Sequence, residues 1–587
     1  MNRTHFRGPG SRARSLVGAA LAVFGLGVPQ LHAQEVATGT LNLSRTPLFV
    51  NQAVDPNVLV SFDDSGSMAW GFMPDSVDDS CGWRHPRFYW SGYNKVAYNP
   101  NVEYTPPLKP DATSFPDARF TAAWLDGYEA ATAIVSGAGG SGTVNLSNRY
   151  FPTRSKNARS GFNANTIVGH DWRARNTTNC NNDGGANNGN AALPFADNSQ
   201  RGTGFDSRAF FYRFTGTDAN DSTQVNDPSN YVAVDMAAAT AAQQQNFANW
   251  FSYYRTRYLF ARTAASRSFA VLDNNIRVAW QNFNQNQLGG TDEIRPLQGS
   301  WRTDFFNWLY RTNASGGTPL RASFIRAGNF FERNGLNYRS PYFEPATATA
   351  PARELSCRQN FHIGLTDGFW NEGNPTHPSS GDDTASVTLP DGVSFPGSAT
   401  DPLSRVYSNE PATVPNAPTM ADIAFYYWRR DLRADLDDNV PAFFPDLTTG
   451  VTGPAMAPGF DPRSVPEVYF NPANDPATWQ HMVNFIVGLG VAGGLNYPGD
   501  YDLLRTGGAS WPSPANNNFT GVDDTWHAAL NSRGQYFSAS DPTELVTALT
   551  RLFSSVQARR ASITPISVSS PLLALGTQAF RTGFDTS

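Results

Sequence analysis

One carboxylate and two hydroxyl side chains lie at alternate positions directly after a predicted strand. The apolar run 57–62 is typical of a buried parallel strand, and Asp63, Ser65 and Ser67 follow it. Oxygen atoms at this spacing can turn toward one point, and hard cations such as Mg²⁺, Mn²⁺ and Ca²⁺ prefer oxygen ligands. Asp and Ser are also common turn residues, so these five positions alone equally indicate a strand-to-helix turn with an N-cap.

Two later segments carry oxygen-bearing side chains in a similar setting. The sequence Gly-Gly-Thr-Pro-Leu at 316–320 places the hydroxyl of Thr318 in a glycine-rich loop just before a helical pattern. A second apolar run, 361–365, ends in an acidic Thr-Asp-Gly turn that contains Asp367. This order of a strand with D-x-S-x-S, a GGTPL loop and a strand with TDG resembles the metal-ion-dependent adhesion site of von Willebrand factor A domains.

The resemblance implies a specific ligand set and a specific fold. In that family one divalent cation, which can be Mg²⁺, Ca²⁺ or Mn²⁺, is surrounded by oxygen atoms from three loops. Carried over to this chain, the metal ligands are Asp63, Ser65, Ser67, Thr318 and Asp367. The implied fold is α/β, with a doubly wound, mostly parallel sheet and the metal loops at the carboxyl ends of its strands.

The apolar periodicity predicts the elements that must position these loops. Strands are expected at 57–62, 276–283, 361–365 and 482–491, and helices at 247–265, 301–310, 320–331, 420–432 and 526–530. A last helix is expected to begin with Asp541 as its N-cap, Pro542 in its first turn and Glu544 at the third position. Strands that alternate with helices independently favour a doubly wound, mostly parallel sheet.

Two loop-rich insertions interrupt the predicted A-like domain, which we assign to residues 34–560. The insertions span about 71–240 and 370–418 and are dense in Pro, Ser and other turn residues. The first one takes the place of the helix that would normally follow the D-x-S-x-S turn. Residues 561–587 change to short alternating strands, which indicates a linker and the start of a truncated C-terminal domain.

The N-terminus has the pattern of a secretory signal peptide. Four arginines precede the apolar run 16–28, and a small residue, Ala33, offers a cleavage site after residue 33. The apolar run is far shorter than the roughly 20 residues of a spanning helix. Cleavage would change the net charge from -6 to about -10. We therefore expect export to the periplasm, outer membrane or cell surface, with no transmembrane segment in the mature chain.

Three cysteines, Cys81, Cys180 and Cys357, are spaced too widely for a CxxC zinc or redox motif. In an oxidising compartment, one disulfide and one unpaired thiol is the natural count, and the sequence does not fix the pairing. We favour Cys180 with Cys357, because this bond would tie an Asn/Gly-rich loop to the strand that ends at Asp367.

Four segments give a closer resemblance, to the PilY/PilC class of type IV pilus biogenesis factors and tip-associated adhesins. They are 98–104, 246–257, 365–371 and 523–534. The resemblance covers most of the mature chain and implies that a C-terminal β-propeller begins near residue 580. It also implies location at the pilus tip, association with minor pilins, and support of pilus assembly, twitching motility and surface sensing. The resemblance further implies that the protein binds a ligand on a host surface or on an abiotic surface.

Two other function classes compete with this one. An enzyme is disfavoured because the chain has no GxSxG, HExxH or Walker A motif, and His527 is more typical of a core or helix-start histidine. A secreted carbohydrate-binding adhesin unrelated to pili is the alternative, given 14 Trp and 21 Tyr, although many aromatic residues lie on predicted core faces. No cluster of Lys and Arg outside the N-terminus favours nucleic acid as a partner.

Overall fold

A computed structural model of the chain describes most of the predicted domain. The described residues are 54–77, 85–128, 142–148, 150, 195, 208–285, 288–289, 292–377, 386–397, 401–408, 418–444, 465–561, 567–568 and 579–580. The predicted signal peptide, Cys81 and Cys180 lie outside these residues. Among the described helices, none combines the length and the apolar composition needed to cross a membrane.

A six-stranded sheet forms the centre of the described structure. Its strands, in chain order, are β1 (Asn57–Phe62), β2 (Arg277–Asn282), β3 (Arg295–Pro296), β4 (Asn360–Thr366), β5 (Val483–Leu489) and β6 (Gln535–Ala539). The spatial order is β3-β2-β1-β4-β5-β6, and only β3 runs antiparallel to its neighbour. In doubly wound sheets of this order, ligands bind beyond the carboxyl ends where the strand order reverses. Here that point lies between β1 and β4.

Helices cover both faces of this sheet. In chain order they are α1 (Ala241–Tyr253), α2 (Arg257–Ala270), α3 (Gly299–Arg311), α4 (Leu320–Phe331), α5 (Met420–Arg429), α6 (Val465–Phe470), α7 (Tyr501–Thr506), α8 (Thr520–Asn531) and α9 (Pro542–Ala561). Helices α1, α2, α3 and α9 pack on one face with Val58 and Val60 of β1. Helices α4, α5 and α8 pack on the other face with Leu59. Burial on both faces explains why β1, β4 and β5 are mostly apolar instead of alternating between apolar and polar residues.

The mixed α/β class and the mostly parallel sheet are thus confirmed, and most predicted elements appear within a few residues of their expected bounds. The start of α9 follows the predicted cap, since the Asp541 carboxylate accepts hydrogen bonds from the backbone N–H groups of Thr543 and Glu544 at 2.8 and 3.0 Å.

Strand β6 was not predicted. It lies at the edge of the sheet and exposes Gln535 and Ser538, so it lacks a continuous apolar run.

The single helix predicted across 247–265 is wrong, because the structure has two helices there. Helix α1 ends at Tyr253 and α2 begins at Arg257. The backbone N–H of Arg257 donates to the carbonyl of Trp70 at 3.0 Å instead of continuing the helical ladder. This break places Arg257 at the carboxyl edge of the sheet, beside the loop that follows β1.

The two insertions contain short elements in their described parts. Helical turns lie at Asp75–Val77, Pro86–Tyr89, Ser222–Val225 and Arg405–Ser408, and two-stranded ribbons pair Ala123–Trp124 with Thr143–Val144, Phe210–Phe214 with Tyr231–Asp235, and Val387–Thr388 with Ser394–Phe395. Aromatic rings join the first insertion to α1, where Tyr98 lies 4.8 Å from Phe247 between ring centroids. Two further ribbons pair Phe343–Glu344 with Arg353–Glu354 and Ser567–Val568 with Ala579–Phe580.

A row of polar side chains crosses the interior of the sheet. The Oγ of Ser61 lies 2.7 Å from the Nε2 of His362, whose Nδ1 lies 2.8 Å from the Oδ1 of Asn484. The amide of Gln281 donates to the same Ser61 oxygen at 2.7 Å. Burial lowers the pKa of His362 to about 4, so the ring is neutral near pH 7 and is held as a hydrogen-bonding group.

This row predicts a specific acid sensitivity. Because the pKa of His362 is lower in the folded chain than the ordinary value of 6.5, protonation favours the unfolded chain as the pH falls from 6.5 to about 4. We expect the stability advantage of the wild type over His362→Gln to shrink by roughly 3 kcal/mol between pH 7.5 and pH 4. Urea unfolding of both proteins across this range checks it, and a gap that does not change with pH would contradict it.

Candidate metal centre

The loop after β1 holds the first carboxylate in a buried position. Asp63 is fully buried, and its Oδ1 accepts a hydrogen bond from the backbone N–H of Ser65 at 2.9 Å. A short 3-10 helix, Gly66–Ala69, follows at once and turns the chain sharply. The hydroxyl oxygens of Ser65 and Ser67 lie 2.9 Å apart. The two hydroxyl oxygens of the D-x-S-x-S segment therefore lie together, and the backbone of the same turn holds the Asp63 carboxylate.

The loop after β4 meets this loop directly. The backbone N–H of Asp63 donates to the carbonyl of Leu365 at 3.0 Å, which extends the parallel pairing of β1 and β4 by one step. The Oδ2 of Asp63 then accepts hydrogen bonds from the hydroxyl of Thr366 at 3.0 Å and from the backbone N–H of Asp367 at 3.3 Å. Both predicted acidic ligands are buried and belong to adjacent strand ends.

Electrostatics at this pair favour a positive charge. Burial raises the pKa of Asp63 well above its ordinary value, and the neighbouring charge of Asp367 raises it further. Hydrogen bonds from Ser65 and Thr366 act in the opposite direction but are the smaller influence. A cation between the two carboxylates would offset both the burial and the mutual repulsion of the acids.

The glycine-rich loop closes the third side of the site. The backbone N–H of Gly66 donates to the carbonyl of Gly316 at 3.1 Å, so the first and second loops touch. Thr318 is buried, and its backbone exchanges hydrogen bonds with Asn371 in the segment after β4. All five predicted ligand residues therefore lie on three loops that are joined to one another by hydrogen bonds.

Asp64, the neighbour of the first ligand, has a bracing role. Its Oδ1 accepts hydrogen bonds from the backbone N–H and the side-chain amide of Asn284 at 3.1 and 2.8 Å. The same Asn284 amide donates to the carbonyl of Gly317 at 2.8 Å. Asp64 and Asn284 thus link the loops after β1 and β2 to the glycine-rich loop. This long-range brace has no signature in the sequence.

The site also contains a buried arginine, Arg257, that was not predicted from the sequence. Arg257 is fully buried, and its Nη1 donates to the Oδ2 of Asp367 at 3.0 Å. Its Nη2 donates to the carboxylate of Asp75, in the segment that begins the first insertion. The sequence gives no distinct signal for it, because Arg255 and Arg262 lie in the same stretch of aromatic and apolar residues.

The donor set fits a hard divalent cation. Asp63, Ser65, Ser67, Thr318 and Asp367 would hold it, and they offer carboxylate and hydroxyl oxygens only, the ligands that suit Mg²⁺, Ca²⁺ or Mn²⁺. Among the described residues there is no cluster of three His, Cys, Asp or Glu side chains, the grouping expected of a structural zinc site. The cation's identity and its presence stay predictions.

The segment that contains His527 links helix α8 to helix α5 and to the loop after β5. The Asp523 carboxylate accepts hydrogen bonds from the backbone N–H groups of Gly494 and Leu495, and Asp524 accepts those of Met420 and Ala421 at the start of α5. The ring of His527 is buried, with its pKa lowered to about 3 by burial, and stacks on Trp511 at 4.3 Å between centroids.

The disulfide prediction stays open. Cys357 is a half-buried free thiol in the structure, and burial raises its pKa. Its favoured partner, Cys180, lies outside the described residues, as does Cys81.

Comparison with known proteins gives a consistent result over nearly the whole chain. In an alignment 593 positions long that covers 97% of the chain, it is 34% identical to a protein of Pseudomonas aeruginosa strain PAK named type IV pilus biogenesis factor PilY1. The proteins of the same name from strains PAO1 and UCBPP-PA14 are 33% and 34% identical over 97% and 95% of the chain. The resemblance to type IV pilus biogenesis factors is thereby confirmed.

The match covers 43% of each of these relatives, so the chain spans less than half of their length. No family model matches the chain, and no solved structure matches it either.

The geometry of the glycine-rich loop leads to a stability prediction. Gly316 has a φ of +96°, and a Cβ there would lie 3.0 Å from the Oδ1 of Asn284. We expect Gly316→Ala to lower the free energy of unfolding by about 1–2 kcal/mol, because L side chains disfavour this backbone conformation.

Gly373→Ala is the matched control, since a Cβ there meets no atom within 4 Å. We expect it to change stability by less than about 0.5 kcal/mol. Denaturant unfolding of both variants checks this prediction. Equal free energies of unfolding for Gly316→Ala and Gly373→Ala would contradict the backbone strain expected at residue 316.

Proposed function

We propose that this chain, which is related over nearly its full length to type IV pilus biogenesis factors, is an exported pilus-associated protein that acts through a metal-ion-dependent adhesion site. In this proposal it supports pilus assembly, twitching motility and surface adhesion or sensing. The observation that carries the proposal is the meeting of three oxygen-bearing loops where the strand order reverses, with Asp63 and Asp367 in contact.

A von Willebrand A-like domain is the fold that accounts best for this arrangement. The strand order, the antiparallel edge strand β3 and the positions of the D-x-S-x-S, GGT and TDG loops all agree with the resemblance found in the sequence. Two carboxylates would balance a divalent cation and leave a coordination position open. An acidic group of a partner could then bind the cation at this open position.

This chain's own residues would prepare the site for such a partner. The backbone N–H groups of Ser65 and Asp367 and the hydroxyl of Thr366 hold the Asp63 carboxylate in one orientation. Asp64 and Asn284 keep the glycine-rich loop against the D-x-S-x-S loop. Because these contacts come from strand ends and backbone atoms, the site is preorganised before a partner arrives.

The first insertion leaves directly from the D-x-S-x-S loop and therefore begins beside the metal face. Phe72 and Asp75 both contact Arg257 there, next to Asp367. We propose that the insertion shapes the surface seen by minor pilins or by a host or abiotic ligand, as loops on a rigid scaffold commonly do.

A non-enzymatic role is part of this proposal. The Ser61, His362 and Asn484 side chains form a hydrogen-bonded series like that of a hydrolase, but all three are buried inside the sheet. Phe324 covers the His362 ring at 4.3 Å between centroids, which favours a structural role. Similarly, Trp370, Trp428 and Trp479 are buried, so they support packing more than a carbohydrate-binding surface.

The cation site leads to a binding prediction. We expect Asp63→Ala to reduce Mg²⁺ and Mn²⁺ binding below detection by isothermal titration calorimetry, because it removes a charged ligand at the centre of the set. Far-UV circular dichroism should show that the fold survives. Asp273→Asn, at an exposed carboxylate before β2 and outside the three metal loops, should retain binding, and undiminished binding by Asp63→Ala would refute the assignment.

The cellular role leads to a genetic prediction. We expect deletion of the gene to impair surface piliation and twitching motility, and Asp63→Ala or Asp367→Asn to damage adhesion or motility while the protein is still exported. Immunoblots of surface fractions, pilus shear preparations and twitching zones give the readouts. A deletion strain with normal pili, twitching and attachment would refute the pilus role even with a functional cation site.

A further inference from the structure

A buried arginine already neutralises one of the two acidic ligands. The guanidinium of Arg257 donates to the Oδ2 of Asp367 at 3.0 Å and to the carboxylate of Asp75, while its Nε donates to the carbonyl of Phe72 at 2.8 Å. Its central carbon lies 4.9 Å from the centroid of the Trp70 ring, which adds a cation–π contact. Arg257 is therefore fixed on several sides within the site.

The positive charge of Arg257 would repel a divalent cation bound nearby. A cation bound to the Asp367 carboxylate would lie near the guanidinium in a region from which water is largely excluded, since Arg257 and Asp367 are buried. At the reduced effective dielectric of such a region, like charges in neighbouring positions repel one another strongly. Such a repulsion is large enough to change cation affinity by more than tenfold.

Given the cation site of the proposed function, on which this inference rests, we propose that Arg257 is a built-in counter-ion that competes with the divalent cation for Asp367 and so weakens cation binding. Asp75 shares the guanidinium and thereby limits this competition. Arg257 is thus an affinity-setting residue that makes no contact with the cation itself. It also stabilises the buried Asp367 carboxylate when no cation is bound.

The alternative role for Arg257 is pure positioning of the Asp367 carboxylate, and the two roles predict opposite results. If the arginine only orients Asp367, its removal should weaken cation binding. If it competes as a counter-ion, removal of its charge should strengthen binding, although the protein without cation should lose stability. Cation affinity and stability must therefore be measured separately.

The test uses the whole chain and four variants. Isothermal titration with Mg²⁺ and with Mn²⁺ gives affinity, and thermal unfolding in EDTA gives stability. We expect Arg257→Gln to bind about tenfold more tightly or better than the wild type. Arg257→Lys keeps the charge and should stay within about threefold of the wild type. Asp75→Asn should bind several-fold more weakly, because Arg257 then serves Asp367 more fully.

Arg262→Gln is the matched control on the same helix. Arg262 is also buried and pairs with a buried acid, Asp126, at 2.8 Å, but it has no contact with the three metal loops among its described hydrogen bonds. We expect this variant to lose thermal stability with no change in cation affinity. Tighter binding in Arg262→Gln as well would show a general effect of loosening the fold and would overturn the proposal.

Each remaining outcome decides one question. Wild-type binding with equal or weaker binding by Arg257→Gln would overturn the counter-ion role and leave the cation site intact. If Arg257→Gln does not fold in EDTA, Asp75→Asn decides, because the Asp75 side chain is 26% exposed and its change leaves the core unaltered. Unchanged binding by Asp75→Asn would then overturn the proposal. Absence of Mg²⁺ and Mn²⁺ binding in the wild type would overturn the proposed cation site itself.

Discussion

The parallel pairing of β1 with β4 fixes the position of the two acidic loops. The pairing continues one step past the strands, where the backbone N–H of Asp63 donates to the carbonyl of Leu365 at 3.0 Å. From that point the Oδ2 of Asp63 accepts hydrogen bonds from Thr366, the last residue of β4, and from Asp367, the first residue after it. The strand order reverses at this pair, which is where doubly wound sheets bind their ligands. The geometry of the site is therefore a consequence of the sheet.

Buried charge is the second constraint, and the structure meets it by pairing each cation with acids or carbonyls. Arg262 pairs with Asp126, and Arg559 pairs with Asp475, whose pKa is lowered to about 2. For Asp475, the neighbouring charges and hydrogen bonds outweigh the burial that acts in the opposite direction. Each pair joins two segments that are distant in the sequence. Separating the partners would leave a charge unpaired in the interior, at a cost of several kcal/mol. Arg257 follows the same rule, but its partner is a predicted metal ligand.

The sequence predicts the parts of the molecule that local pattern controls. Strands β1 and β4 are buried on both faces and therefore read as apolar runs, and the cap at Asp541 locates the start of α9. The five predicted ligand residues are recognisable in the sequence because each follows a strand or lies just before a helix. By contrast, nothing near residue 257 in the sequence indicates that its side chain meets Asp367, 110 positions later. The break between α1 and α2 depends on the Trp70 carbonyl, another contact that only the folded chain creates.

The two acidic residues of the site are held in different ways, and this difference bears on how the site could respond to its surroundings. Asp63 accepts its hydrogen bonds from groups of the loops at the ends of β1 and β4, which the sheet keeps in place. Asp367 is held by a side chain, Arg257, that it shares with Asp75 at the start of the first insertion. A displacement of that insertion would leave the hydrogen bonds of Asp63 in place but would alter the charge next to Asp367. The loop-rich insertion can therefore act on the site through one carboxylate, without disturbing the sheet that supports the other.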